Sequence, residues 1–224
     1  MRTILAVLMA ALAVPAAGAS PMTVEGVVFS PGSANLRLLA VSGTGRLDDP
    51  FVVVEEVTGQ GEVILNVEVL SADFGSRIHT IHATGFALTK VVRNGTDTPW
   101  DYFSMELEFT HGYGSDYYDG LSFAQAAQAN RPFRSDRFAK VDDIQEPRDV
   151  VRFTEGTVAP GETAAFSVSV SYTGLKPNFS VVQNVLRPFA GMPSMPRGML
   201  AAARPVSDPG PGAEGAGGQP TRRQ

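Results

Sequence analysis

The chain has 224 residues, 43% hydrophobic and 18% charged, with no cysteine and a formal net charge of -5. That composition excludes disordered, collagen-like and polytopic membrane classes. The absence of cysteine excludes disulfides, thiolate metal sites, cysteine nucleophiles and an acylated lipoprotein cysteine.

At the N-terminus, Arg2 is followed by an apolar run from Thr3 to Val14, then Pro15 and the small residues Ala17, Gly18 and Ala19. This order reads as a secretory signal peptide over 1–19 with cleavage after Ala19. The run is too short to span hydrocarbon, and no later stretch reaches 18 apolar residues, so no membrane span is expected after cleavage. The expected location is outside the cytoplasm, periplasmic or extracellular, and a cysteine-free exported chain suits a bacterial protein. The glycosylation sequons at Asn94 and Asn178 carry no weight in that setting.

Over residues 20–190 the dominant hydrophobic period is two. Val63, Leu65, Val67 and Val69 alternate with Asn66 and Glu68; Phe103, Met105, Leu107 and Phe109 alternate with Ser104, Glu106 and Glu108; Phe166, Val168, Val170 and Tyr172 alternate with serines. A strand turns successive side chains to opposite faces, so these are half-buried strands. Further strands are expected at 24–29, 36–41, 51–57, 78–84, 86–92, 150–153 and 179–186, with turns at Gly59-Gln60-Gly61, Asn94-Gly95 and Pro160-Gly161. The sum is an all-β chain, a single antiparallel β-sandwich, with a closed barrel as the alternative. Ser122-Phe123-Ala124-Gln125 has capping-box spacing and predicts one short helix in a long connection, stopped by Pro132. Residues 191–224 hold seven Gly, six Pro and no aromatic residue, and are expected to be a disordered tail. Gly210, Gly212 and Gly215 match a dinucleotide fingerprint there, but without the strand and helix that the motif needs.

Val91-Val92-Arg93-Asn94-Gly95-Thr96, then Trp100 and the strand from Phe103 to Phe109, form one half of a pattern. Val158-Ala159-Pro160-Gly161-Glu162-Thr163, followed by Phe166 to Val170, forms the other. Together they resemble Ig-like β-sandwich modules of bacterial exported and surface proteins. The resemblance implies an Ig-like or jelly-roll-like sandwich and binding, adhesion or matrix roles as a class. The helix and the spacing between the two halves depart from the simplest modules.

Chemistry-bearing motifs are sparse. His79 and His82 fall on opposite faces of an expected strand and read as ordinary strand residues. His111 stands at a strand end beside an acidic loop. The chain lacks the common serine-hydrolase, zinc-protease and P-loop motifs. The unusual segment is 100–123, which carries Trp100, Tyr102, Tyr113, Tyr117 and Tyr118 among Asp97, Asp101, Asp116 and Asp119, with three glycines. Trp100, Tyr113, Tyr117 and Tyr118 are the candidate ligand-binding residues, because aromatic faces stack on sugars or partner side chains. Asp116 and Asp119 are candidate calcium ligands, calcium being the one cofactor suggested. The bland alternative has the aromatics plugging the sandwich and the aspartates solvating turns. The basic run Arg131, Arg134, Arg137 and Lys140 is followed by Asp142, Asp143 and Glu146 and reads as a solvated connection.

Three functions compete. The leading one is an exported, non-catalytic β-sandwich for extracytoplasmic binding, adhesion or assembly, with a protein or carbohydrate partner. The acidic balance argues against nucleic acid, which needs a basic patch. The second is a carbohydrate-active hydrolase or lyase using loop carboxylates near His111. The third is a purely structural envelope protein.

Overall fold

The computed structural model describes residues 20–116, 118–124, 133–144 and 148–187. The expected signal peptide and tail therefore lie outside the described residues, as do Tyr117 and the expected helix beyond Ala124.

The described chain is all-β. In order it forms β1 (Met22–Val24), β2 (Val27–Pro31), β3 (Leu36–Ser42), β4 (Phe51–Val57), β5 (Val63–Val69), β6 (Thr84–Asn94) and β7 (Phe103–Thr110). There follow β8 (Tyr113–Gly114), β9 (Leu121–Ser122), β10 (Arg134–Ser135), β11 (Phe138–Ile144), β12 (Val150–Gly156), β13 (Thr163–Tyr172) and β14 (Asn178–Asn184). One sheet runs β1-β2-β5-β14-β7-β12-β11, with β8 beside β7; the other runs β10-β13-β6-β4-β3, with β9 beside β13. The two sheets pack face to face as a β-sandwich around one contiguous apolar core. Among the described residues the helical element is a single 3-10 turn, Ala72–Phe74, and no helix is long and apolar enough to cross a membrane.

The period-two pattern explains the core. Val63, Leu65, Val67 and Val69 of β5 and Phe103, Met105 and Leu107 of β7 face inward and are buried, each burial stabilising the fold by about 1.5–3 kcal/mol. Rings join the sheets: Phe103 of β7 stacks on Phe166 of β13 at 4.1 Å, and Phe179 of β14 on Phe86 of β6 at 6.4 Å. Arg77 closes one end, its guanidinium 3.9 Å above the Phe74 ring and donating to the carbonyls of Thr44 and Glu25.

One core feature breaks the apolar rule. Lys90 of β6 and Glu55 of β4 point inward among Phe, Leu and Val, and Lys90 Nζ lies 2.9 Å from each Glu55 carboxylate oxygen, both side chains fully buried. Burial pulls the Lys90 ammonium below the usual lysine range, against the pull of Glu55. The two strands are neighbours because β4 and β6 pair in parallel, Val53 beside Lys90 and Glu55 beside Val92. Every other named strand pairing is antiparallel.

Four details differ from the sequence reading. The expected strand 24–29 is a hairpin, because Glu25 and Gly26 take positive φ of 49° and 81° and turn the chain, as a two-residue hairpin loop requires. The expected strand 78–84 is irregular: His79 has φ 58°, and Ile78 is buried against Ala87 and Ala124 on the outer side of β6. His79 and His82 are thus loop residues rather than strand residues, and His82 Nδ1 meets Ser171 Oγ at 2.9 Å. Much of the supposed solvated connection is the edge strand β11, registered on β12 from Phe138↔Gly156 to Ile144↔Val150. Ser122, expected to cap a helix, pairs with Ser171 across β9 and β13.

Candidate functional site

The two halves of the sequence pattern meet. Asn94, at the end of β6, is fully buried and organises the contact. Its Oδ1 accepts from Thr96 N at 3.0 Å, and its Nδ2 donates to the carbonyls of Thr98 and Val158 at 2.8 and 3.0 Å. Trp100 and Val158 exchange backbone hydrogen bonds of 3.0 and 2.9 Å. The Trp100 Nε1–H reaches Thr96 Oγ1 at 3.2 Å, and the indole packs on Phe103. Trp100 is only 1% exposed. It is therefore a core plug and does not join a surface platform. Tyr102 is buried as well.

The tyrosines further on behave differently. β7 passes through a bulge between Glu108 and Thr110 and turns at Gly112 into β8. Tyr113 is 61% exposed and Tyr118 is 91% exposed. The loop that carries Tyr118 is pinned by the aspartates. Asp119 Oδ1 accepts from Ser115 Oγ at 2.8 Å and from Leu121 N at 2.9 Å, and its Oδ2 accepts from Asp116 N at 3.2 Å. Asp116 Oδ1 accepts from Tyr118 N at 2.9 Å. These carboxylates, read from sequence as calcium ligands, bind the loop's own N–H and O–H groups. Among the described residues no three His, Asp or Glu side chains gather as a metal-holding group.

Beneath the hairpin lies an acidic floor on the face of β7 opposite Met105 and Leu107. Glu106 is 6% exposed and Glu108 is 3% exposed. Arg148 grips Glu106 from the segment before β12, with Nε 2.6 Å from Oε1 and Nη2 2.7 Å from Oε2. Burial raises the Glu106 carboxyl to about 7, with Glu108 adding to the rise and Arg148 and Arg152 opposing it. Gly114 lies directly over this pair; a Cβ there would come within 2.3 Å of Glu106 Oε1. Glu108 Oε2 accepts from Gly112 N at 2.8 Å. His111 stands above, with Nδ1 3.4 Å from Glu108 and Nε2 3.8 Å from Glu62.

The structure thus gathers Tyr113, Asp116, Tyr118, Asp119 and His111 on one β7-to-β9 excursion, and leaves Trp100 out. A separate open depression of about 500 Å³, lined by Pro31, Gly32, Ser33, Ala34, Leu36, Arg37 and Thr58, touches none of them. Its one charged group, Arg37, pairs with Glu56. No family model, curated protein or solved structure gives a match to this chain.

Proposed function

We propose that this protein is a non-catalytic binding or assembly module acting outside the cytoplasm, and that Tyr113 and Tyr118 are its contact residues. One observation carries the reading: two exposed tyrosines stand on one excursion, Tyr113 on the β7–β8 hairpin and Tyr118 on a loop whose backbone is fixed by Asp116 and Asp119. A pre-ordered loop loses little entropy on binding, and tyrosine offers a large amphipathic face at low rotamer cost. The apolar run at 3–14 with its small-residue exit supports export.

The test uses co-sedimentation with defined insoluble polymers, namely peptidoglycan, cellulose and chitin, together with self-association by analytical ultracentrifugation. The reading expects at least one of these to be positive, and the Tyr113→Ala/Tyr118→Ala double variant to weaken it about 30-fold, the scale of an interface hot spot. Positive binding that the double variant leaves intact contradicts it.

A hydrolase or lyase reading draws on His111 lying between Glu62 and Glu108. Against it, Glu106 is gripped by Arg148 and Glu108 accepts from Gly112. A glycosidase instead needs two carboxylates free to flank a scissile bond.

A further inference from the structure

We propose that Glu106 is a pH-sensitive latch on the β7–β8 hairpin, holding it closed in acid and loosening it, with the Tyr113 it carries, as the medium becomes alkaline. The proposal deepens the reading of Tyr113 as a displayed contact residue and rests on it.

The geometry sets the latch. Glu106 points away from the core, on the face opposite Met105 and Leu107, yet it is covered by the Gly114 backbone and the Arg148 stem. Its cross-strand neighbours, Val150 and Val182, are apolar. The charged groups that act on it are Arg148 from the segment before β12, Arg152 on β12 and Glu108 on β7 itself. Arg148 Nε is close to Oε1 but off the hydrogen-bond direction, so that oxygen lacks a properly aligned donor. A buried carboxylate in this setting gains water when the hairpin lifts.

The sign follows by linkage. The closed carboxyl titrates at about 7, against 4.5 for a free one. A group whose pKa is raised in the closed state favours closure below the free value and loses that contribution as pH rises through the closed value. The loss is complete a little above pH 7. Between pH 6 and pH 8 the opening equilibrium should rise about tenfold.

The test is amide hydrogen exchange on the full chain, corrected for the intrinsic pH dependence of exchange. The reporter is Ser115, whose N–H bonds to Leu107 O at 2.7 Å. Its protection should fall about tenfold from pH 6 to pH 8, while amides of the central strand β6 hold theirs. Glu106→Gln should hold Ser115 protected at both pH values. Arg148→Met, which removes the main opposing cation, should move the transition to higher pH. His111→Asn should leave it in place, keeping the imidazole out of the account. A flat wild-type profile, or a Glu106→Gln profile that matches wild type, overturns the latch. If the pH response holds while the tyrosine variants bind normally, the latch stands and the display reading falls.

Discussion

Asp119 shows how a single side chain sets the surface of this protein. Its two oxygens take three donors from a loop of seven residues, and without them the Asp116 and Leu121 N–H groups lose their acceptor. Asp119→Ala should therefore destabilise the fold by about 1–2 kcal/mol, because donors left unpaired cost more than the net worth of the bonds they made. Chemical denaturation checks this; Asp119→Asn, which keeps one acceptor, should lose less. In the sequence the segment stands out by its tyrosines, aspartates and glycines. That pattern does not mark which aromatics face outward. Trp100 faces inward because it bridges to Val158, a contact 58 residues away that no local pattern contains. Glu106 and Glu108 were hidden for a related reason. Alternation says which face a residue occupies, but not that a hairpin later folds over the outer face.

Strand alternation was legible wherever one face is apolar and the other polar, as in β5, β7 and β13. It failed for β11, an edge strand that carries Lys140 and Asp142 in ion-pair range at 3.6 Å, since edges carry charges that keep other strands away. The parallel pairing of β4 and β6 was also illegible, because it depends on the chain crossing to the other sheet for β5 in between. That pairing carries the Lys90–Glu55 ion pair. Removing one partner leaves an uncompensated buried group, so Lys90→Met or Glu55→Leu alone should cost about 3–5 kcal/mol. The double variant should recover most of that loss, because an apolar pair of similar volume suits this core. Urea denaturation of the four proteins at one pH gives the cycle; losses that simply add would contradict the pairing.

At the scale of the whole molecule, the two sheets make a body whose stability comes from inward-facing rings and branched chains, with Trp100 and Arg77 among the residues that secure its ends. The excursion from Thr110 to Leu121 is attached to that body by the Ser115 N–H to the Leu107 carbonyl, the Asp149 N–H to the Ser115 carbonyl and the pairing of Leu121 with Tyr172, packs Gly114 over the Glu106–Arg148 pair, and turns Tyr113 and Tyr118 to solvent. The body and the display are thus separable in energy. The most direct measurement is the thermal melt of Tyr113→Ala/Tyr118→Ala beside that of Trp100→Ala. The tyrosine double variant should stay within about 1 kcal/mol of wild type, two surface changes of about 0.5 kcal/mol each, while Trp100→Ala should lose roughly 3–5 kcal/mol. A double-tyrosine variant that melts as early as Trp100→Ala would show that the tyrosines support the core, and would contradict the display.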